Sequence, residues 1–295
     1  MDNLSGRIVG PYRLESVIGY GPTGDVYRGA HIETARRVAV KALQTSLVAG
    51  EEYPERFVTS MRPASSLRHD HIVTVFDIGV ADGLCYIAME IMRAGSVRTL
   101  LRQRPPADPL PLPLATDLIR QAAEGLAYAH ERSVIHNDIK PSNLLLDAAE
   151  PEAGATETAY SLKITDFGLA QLAASANAMT SVGVTLGSGV MLGAPAYMSP
   201  ELSRGREVDG RSDLYALGVV LYELLTGMPP FPVTRLEDAT RERIAAPPTL
   251  PSLLNPEIPP SLEYVMVRCL AKDADDRFDS AGDLARALRA AAETL

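Results

Sequence analysis

The sequence predicts an α+β protein with a small β-rich amino-terminal part, residues 1–92, and a larger, mainly helical part, residues 93–295. Two patterns predict this division. Between residues 12 and 92, short runs of β-branched and aromatic residues are separated by Gly and Asp, which is typical of strands and turns. From about residue 96 the apolar residues recur at three- and four-residue intervals, which is typical of amphipathic helices.

Within the first part, the pattern predicts one helix near Pro54–Leu67 and strands over Tyr12–Ile18, Asp25–Ala30, Arg37–Leu43, Ile72–Val80 and Leu84–Met89. Within the second part, it predicts helices over Thr116–Glu131, Asp213–Leu225 and Ser280–Ala291. The second of these helices is apolar nearly all round and is therefore expected to be buried. The Pro-rich segment Pro105–Pro113 is predicted to be a stiff surface connection.

Composition narrows the class of function. The chain has 28 Lys and Arg residues against 37 Asp and Glu residues, which gives a net charge of −9. This charge argues against nucleic-acid binding, which requires a basic surface. The two cysteines, Cys85 and Cys269, lie in apolar runs and have no metal-binding spacing, so we expect buried free thiols in a reducing compartment. No run is apolar enough to span a membrane, and no secretory signal begins the chain.

Five motifs follow one another in the chain. They are GYGPTGDV at residues 19–26, VAVK at 38–41, HNDIKPSN at 136–143, DFG at 166–168 and AYMSPE at 196–201. The three glycines of the first motif lie between two predicted strands and not before a helix, which excludes a dinucleotide-binding fingerprint. A strand–Gly–strand flap allows the backbone to approach phosphate groups closely, because glycine has no β-carbon.

Together these motifs resemble the signature set of the protein kinases, and most closely that of the bacterial Ser/Thr protein kinases of eukaryotic type. The resemblance implies the bilobal kinase fold, with a small antiparallel β-rich lobe and a larger helical lobe. It also implies that ATP and Mg²⁺ are bound and that the γ-phosphoryl group is transferred to Ser or Thr hydroxyls of protein substrates.

The resemblance assigns roles to individual residues. Asp138 resembles the catalytic base, Lys140 the residue that stabilises the γ-phosphoryl charge, and Lys41 the lysine that binds the α- and β-phosphates. Asn143 and Asp166 resemble the two ligands of Mg²⁺. The residues expected to contact the nucleotide, besides Lys41, are Ile18, Gly19, Gly21, Gly24, Val26, Ala39, Met89, Glu90, Met92 and Leu145.

Further residues resemble structural parts of the family. Glu201 and Arg277 resemble a buried ion pair, and Asp213 resembles the aspartate that opens the central helix and braces the catalytic loop. His136 resembles a structural histidine, and the other four histidines are assigned no function. Small-molecule kinases of the aminoglycoside type lack this set, which disfavours that class.

The chain also departs from the family at several positions. Alignment places Ser60 where a helix glutamate normally pairs with the phosphate-binding lysine, and Pro63 is expected to break or kink that helix. Asn137 replaces an arginine that receives an activating phosphate. Ala194 replaces a threonine hydroxyl that bridges the catalytic Asp and Lys. Pro22 removes one backbone N–H from the flap.

Two interpretations stay open. The chain is an active Ser/Thr protein kinase, because Lys41, Asp138, Asn143 and Asp166 are all present, or it is a pseudokinase scaffold that retains the fold, with or without ATP binding. The expected location is the cytoplasm, either as a soluble protein or as the cytoplasmic domain of a longer membrane-anchored kinase.

Overall fold

The computed structural model describes residues 3–43, 53–105, 108–148, 160–172, 195–231 and 246–295. The described residues divide into two units. The first contains the residues up to Met92 together with residues 166–172, and the second contains residues 93–165 and those from 195 onward. The first is a sheet with one helix and the second is mainly helical, so the predicted α+β class is confirmed.

The first unit is built on an antiparallel six-stranded sheet with the order β1-β2-β3-β4-β6-β5. Its strands are β1 (Ile8–Val9), β2 (Tyr12–Gly19), β3 (Gly24–His31), β4 (Arg37–Leu43), β5 (Val75–Ala81) and β6 (Leu84–Met89). The helix α1, Tyr53–Ser65, lies between β4 and β5 in the chain. One side of the sheet buries a cluster that includes Tyr12, Leu14, Tyr27, Val38, Val40 and Tyr86.

The predicted strands agree with the structure where an apolar run has sharp ends. The bounds of β4 and β6 are those predicted, whereas the short β1 was not predicted. The prediction for β5 was wrong at its start, since the strand begins at Val75 and not at Ile72. Ile72 instead closes a turn, in which its N–H donates to the carbonyl of His69 at 3.1 Å.

In the second unit, eight of the described helices and strands form or support the candidate site. They are α2 (Val97–Arg102), α3 (Leu112–His130), the hairpin strands β7 (Leu144–Ala148) and β8 (Tyr160–Ile164), α4 (Pro200–Ser203), α5 (Gly210–Thr226), α7 (Pro260–Cys269) and α8 (Ala281–Ala292). A short helix α6, Pro251–Leu254, precedes α7. None of the helices in the described ranges is long and apolar enough to cross a membrane.

Helix α5 is the buried centre of the second unit, as predicted. Every residue from Ser212 to Thr226 is buried, which explains why its sequence is apolar nearly all round. The Asp209 side chain caps its first turn by accepting from the N–H of Arg211. Gly227 ends it with φ of +77°, a left-handed conformation that glycine adopts without a steric penalty.

The Pro-rich connection before α3 is shorter than predicted. Helix α3 begins at Leu112, so Pro113 lies in its first turn. The N–H groups of a first turn have no partner within the helix, so a proline there costs no hydrogen bond. Leu110 is buried, and its N–H donates to the carbonyl of Leu224 at 2.8 Å. The prediction of a surface connection through Pro113 was therefore wrong at its carboxyl end, and residues 106–107 lie outside the described residues.

Candidate active site

The Gly-rich motif forms the turn between β2 and β3 in the first unit. The N–H of Gly24 donates to the carbonyl of Gly21 at 3.1 Å and closes the turn. A β-carbon on Gly24 would lie 2.1 Å from the carbonyl oxygen of Ala42, so packing against β4 already requires glycine there. Ile18 and Pro22 on either side of the turn are exposed. At Gly24 the absence of a side chain follows from packing as well as from any role in phosphate binding.

Four residues assigned to nucleotide contact or catalysis share one face of the same sheet. Val26 on β3 lies opposite Lys41 on β4, and Ala39 on β4 lies opposite Met89 on β6. Ala39 and Lys41 are two residues apart, so their side chains point to the same face of β4. Cross-strand partners also share a face, and Val26, Ala39, Lys41 and Met89 therefore line one surface.

Lys41 forms an ion pair with Asp166. The Lys41 Nζ lies 2.6 Å from Asp166 Oδ2, although the residues are 125 positions apart in sequence. The side chains are 5% and 16% exposed, so the pair is shielded from water and its attraction is stronger than that of a surface pair. Asp166 is held in the left-handed region, with φ of +71°. The residues assigned to phosphate and to metal binding in this unit are thus in direct contact.

Helix α1 supports this pair by packing and not by charge. A β-carbon on Gly168 would lie 3.2 Å from the side chains of Met61 and Ala64, so the Asp-Phe-Gly turn rests directly on α1. Ser60 is half-buried, and Glu55 is exposed. Among the described residues, Asp166 is the carboxylate paired with Lys41. Of the break or kink expected at Pro63, the break does not occur, since α1 continues through Pro63 to Ser65.

We expect the substitution Ser60→Glu to preserve the rate of phosphoryl transfer or to raise it up to about tenfold. A carboxylate on α1 offers Lys41 a second anionic partner through a charge-assisted hydrogen bond, so that Asp166 need not hold the lysine alone. Steady-state rates of Ser60→Glu and of the uncharged control Ser60→Gln test this. A rate that falls in Ser60→Glu but not in Ser60→Gln would show that the added charge disturbs an arrangement that is already complete.

Residues 89–92 end the first unit as an extended segment after β6. The N–H of Glu90 donates to the carbonyl of Thr74 at 3.0 Å, and the Glu90 carboxylate accepts from the N–H of Thr74 at 2.6 Å. The Glu90 N–H is therefore already satisfied within the protein. In the described part of the chain the N–H of Met92 has no hydrogen-bond partner, which leaves it able to donate to a ligand.

In the second unit, Asp138, Lys140 and Asn143 form a polar cluster. Lys140 Nζ lies 2.5 Å from Asp138 Oδ2. The side-chain amide of Asn143 donates to the Asp138 carbonyl at 2.9 Å and to Asp138 Oδ2 at 3.2 Å. These contacts hold the Asp138 carboxylate in one orientation and direct the Asn143 amide oxygen away from it. Leu145, two residues later on β7, is half-buried and bridges to Ser96.

The β7–β8 hairpin begins directly after Asn143. Leu144 pairs with Ile164, and the N–H of Thr165 donates to the carbonyl of Asn143 at 3.0 Å. Asn143 therefore comes immediately before the hairpin, and Asp166 follows one residue after the hydrogen bond that closes it. The segment between the two strands, residues 149–159, lies outside the described residues.

Asp213 braces the catalytic loop from the first turn of α5. Its Oδ2 accepts from the N–H of His136 at 2.9 Å, and its Oδ1 accepts from the N–H of Asn137 at 2.8 Å. His130, at the end of α3, places its Nε2 2.9 Å from the same Oδ2. Asp213 is 1% exposed, so these donors supply the partners that a buried carboxylate requires. The predicted bracing role of Asp213 is confirmed by these contacts.

His136 is a structural residue, as predicted. The N–H of Asp138 donates to His136 Nδ1 at 3.1 Å, so the ring proton lies on Nε2 and is donated to the carbonyl of Thr165 at 2.8 Å. The residue is fully buried. Asn137, next to it, adopts φ of +62°, and its side-chain oxygen is buried without a partner among the described residues. Asparagine tolerates this backbone conformation better than most residues.

Glu201 and Arg277 form the predicted buried ion pair. The guanidinium of Arg277 donates to both Glu201 oxygens, at 2.7 and 2.8 Å, and Ser212 also donates to Glu201. Burial alone would raise the pKa of Glu201, but the hydrogen bonds from Arg277 and Ser212 and the Arg277 charge outweigh it and lower the pKa to about 2. The pair ties α4 to the segment before α8.

We expect acid to destabilise the wild-type protein partly through Glu201. Because the folded-state pKa is lowered, the stabilisation is fully present above the ordinary Glu value of about 4.5 and is lost as pH falls towards 2. Urea unfolding at several pH values between 3 and 7 tests this. The difference in unfolding free energy between wild type and Glu201→Gln should shrink as the pH falls below 4.5. A difference that does not change with pH would contradict the expectation.

Comparisons with known proteins agree with this geometry. The family model described as the protein kinase domain matches residues 12–287. The chain belongs to the protein kinase family. Pkn1, a serine/threonine-protein kinase of Myxococcus xanthus, is 35% identical over 290 residues, which cover 98% of this chain and 39% of Pkn1. PknF of Mycobacterium tuberculosis is 36% identical over 288 residues, which cover 98% of this chain and 58% of PknF.

Among solved structures, the PknI kinase domain of Mycobacterium tuberculosis superposes with a TM-score of 0.75 at 27% identity, covering 99% of this chain and 100% of that domain. The predicted kinase fold and the resemblance to bacterial Ser/Thr kinases are thus confirmed. The chain spans roughly two fifths to three fifths of the length of the curated relatives, 39% of Pkn1 and 58% of PknF.

Sequence reasoning missed one polar cluster of this kinase domain. Arg98 on α2 donates to the Tyr197 hydroxyl and, at 3.0 Å, to Glu223 on α5, and the Tyr197 hydroxyl donates to Glu223. Burial and the neighbouring Glu223 raise the pKa of Tyr197 above its usual range, which keeps the hydroxyl protonated. No spacing in the sequence indicates this cluster. Ala194, the predicted departure beside it in sequence, lies outside the described residues.

Proposed function

We propose that this chain is an ATP-dependent protein serine/threonine kinase. The observation that carries the proposal is the cluster in which Lys140 and Asn143 hold the Asp138 carboxylate. A carboxylate fixed beside a lysine can accept a proton and keep a neighbouring positive charge for phosphoryl oxygens. The membership of the chain in the protein kinase family and its likeness to curated serine/threonine-protein kinases support the assignment.

The proposed reaction uses Asp138 and Lys140 at the acceptor. The substrate hydroxyl oxygen forms a bond to the γ-phosphorus of ATP while the bond from that phosphorus to the bridging oxygen of ADP breaks. The hydroxyl proton passes to an Asp138 carboxylate oxygen. The Lys140 ammonium, 2.5 Å from Asp138, neutralises charge on the transferring group. Positioning and charge supply most of the catalysis in such a reaction.

For the nucleotide, we propose binding by two sets of residues. Lys41 contacts the α- and β-phosphates beneath the flap of Gly19, Gly21 and Gly24. The adenine lies against apolar side chains and hydrogen-bonds to main-chain groups of Glu90 and Met92. The remaining proposed apolar contacts are Ile18, Val26, Ala39, Met89 and Leu145. The unpartnered Met92 N–H and the shared face of Val26 and Ala39 support this assignment.

The proposed Mg²⁺ ligands are Asn143 and Asp166, whose donor atoms fit the ion. Hard oxygen atoms suit Mg²⁺, which typically takes one or two protein ligands together with phosphate and water. The Asn143 amide nitrogen is engaged by Asp138, which leaves its oxygen for a cation. Within the described residues no group of three or more His, Cys, Asp or Glu side chains is arranged for a metal. When bound, the ion neutralises charge on the β- and γ-phosphates.

A pseudokinase scaffold is the second candidate, and two observations favour it. Lys41 is paired with Asp166 and not with a carboxylate of the described part of α1. Asn137 supplies no positive charge to receive an activating phosphate. Both departures affect the positioning of groups and leave the proposed catalytic side chains in place, so we favour the active enzyme.

The direct test of this function is to incubate the protein with γ-labelled ATP, Mg²⁺ and a mixture of candidate protein substrates. We expect the label in phosphoserine and phosphothreonine after acid hydrolysis of the products. Label confined to small molecules would place the protein among small-molecule kinases. Binding of an ATP analogue without any transfer of label would support the scaffold. A cytoplasmic location is part of the proposal, in keeping with the free buried thiols of Cys85 and Cys269.

A further inference from the structure

Two arginines after α4 are exposed and make no ion pair with another described residue. Arg204 and Arg206 have exposed side chains, and neither has a hydrogen-bond or ion-pair partner for its guanidinium in the part of the chain that the structure describes. Other arginines of this region are engaged. Arg277 is held by Glu201, and Arg211 lies 2.9 Å from Asp209 and 2.6 Å from Asp275. Arg277 and Arg211 thus serve the structure, whereas Arg204 and Arg206 form no ion pair with any residue that the structure describes.

The turn that carries this pair is well ordered by main-chain hydrogen bonds. The N–H of Arg204 donates to the carbonyls of Pro200 and Glu201, and the N–H of Arg206 donates to the carbonyl of Glu201. Gly205 between them adopts φ of +63°. Because Glu201 is fixed by Arg277, the two guanidinium groups extend from an anchored backbone. When a ligand binds here, the backbone of the turn is already ordered, so only the two arginine side chains lose conformational entropy.

The turn also lies close to the proposed acceptor site. A small cavity in the second unit is lined by Asp138, Tyr197, Met198 and Leu202, among others. Arg204 follows Leu202 by two residues, so their α-carbons are at most about 7 to 8 Å apart. A peptide that places its hydroxyl at Asp138 therefore presents its neighbouring residues near this turn.

We propose that Arg204 and Arg206 determine substrate specificity by binding a carboxylate side chain of the protein substrate, near its acceptor Ser or Thr. The inference rests on the proposed kinase function and names the class of substrate. A guanidinium recognises a carboxylate with two parallel hydrogen bonds, which a lysine cannot reproduce. The chain as a whole carries a net charge of −9, so acidic substrates are repelled elsewhere and attracted at this turn. Glu207, the residue after Arg206, is also exposed and lowers the net positive charge of this turn, and it forms no ion pair with Arg204 or Arg206 in the described structure.

The test uses peptides that contain one Thr and a single Asp moved through each of the flanking positions. The matched peptides carry Asn or Lys in place of the Asp. kcat and KM are measured for wild type, for Arg204→Gln/Arg206→Gln and for Arg204→Glu/Arg206→Glu. Arg102→Glu is the control, since Arg102 is an exposed arginine of the same unit whose side chain makes no hydrogen bond or ion pair within the described residues.

We expect wild type to prefer Asp over Asn at one or two adjacent positions by about fivefold or more in kcat/KM, mainly through KM. Exposed ion pairs stabilise by up to about a factor of five each, which sets this scale. The double Gln variant should treat the two peptides alike, and the double Glu variant should prefer Lys. The quantity compared between wild type and the two variants is the ratio of kcat/KM for the Asp and Asn peptides, not the absolute rate on either. The preference should weaken at high salt, since exposed charges are screened.

The proposal is overturned if wild type shows no Asp preference at any position, or if the preference survives in Arg204→Glu/Arg206→Glu. It is also overturned if Arg102→Glu abolishes the preference to the same extent, because that would show a general charge effect. Fluorescence anisotropy with the same labelled peptides measures the preference as binding. This measurement reads the specificity even if no phosphate is transferred, so failure of the kinase function and failure of the arginine site give different results.

Discussion

Substitution of Lys41 by Met, or of Asp166 by Asn, is expected to lower the rate of phosphoryl transfer by about 10²-fold or more. Each change removes a charge that we place against the nucleotide or its metal ion, and loss of one preorganised electrostatic contact typically costs a factor of this size. Lys272→Met is a suitable control. It removes a lysine charge that lies 4.2 Å from the centre of the Phe231 ring, within the second unit.

The same two variants also test the ion pair itself. Lys41 and Asp166 are largely shielded from water, so removing one partner leaves the other as a poorly solvated, unpaired charge. We expect each single variant to lower the unfolding free energy, and the double variant Lys41→Met/Asp166→Asn to be more stable than the sum of the two changes predicts. Urea unfolding of all four proteins measures this coupling. Strictly additive losses would show that the pair contributes nothing in solution.

Substitution of Asp213 by Ala is expected to have the largest effect on stability outside the catalytic side chains. It leaves the N–H groups of His136 and Asn137 without their acceptor in a buried region. An unsatisfied buried donor costs about 1–3 kcal/mol, so we expect a loss of about 2–5 kcal/mol together with a fall of at least tenfold in kcat. The fall in kcat follows because Asp138 is the next residue along the braced loop.

Asp209→Ala provides the matched control for Asp213→Ala. Asp209 caps the same helix through the N–H of Arg211 but makes no contact with the catalytic loop in the described structure. Loss of a helix cap costs about 1 kcal/mol. We therefore expect Asp209→Ala to lower stability modestly and to leave kcat nearly unchanged. Equal effects of the two substitutions on kcat would contradict a specific bracing role for Asp213.

The parts of this fold that could be predicted from sequence are those governed by local pattern. The bounds of β4 follow from a mainly apolar run interrupted at Lys41, and the buried α5 follows from a helix without a polar face. The start of α3 was missed because Pro113 was taken to prevent a helix, although proline is favoured in a first turn. The expected break in α1 does not occur because Pro63 lies near the end of the helix, where few hydrogen bonds are affected, and the helix ends at Ser65, two residues before the predicted Leu67.

The candidate site could be predicted from the sequence only in part. Motif order indicated the members of the cluster around Asp138 and the partners Glu201 and Arg277. It did not indicate that Lys41 pairs with Asp166, or that Arg98 pairs with Glu223, because each pair spans 125 residues and depends on tertiary packing. Nor did it reveal that His130 contacts Asp213. These contacts are set by which elements meet in space, and no periodicity in the chain records that.

The measurement that most directly tests whether this kinase domain performs phosphoryl transfer compares the wild type with Asp138→Asn at saturating Mg²⁺-ATP. Asn is nearly isosteric and cannot accept the hydroxyl proton, while Lys41 and Asp166 are untouched. Calorimetric titration with a non-hydrolysable ATP analogue confirms that both proteins bind nucleotide equally. We predict measurable transfer of γ-phosphate to protein Ser or Thr by the wild type and a rate at least about 10²-fold lower for Asp138→Asn. Equal rates in the two proteins, or nucleotide binding with no transfer by the wild type, would contradict an active enzyme that works through Asp138.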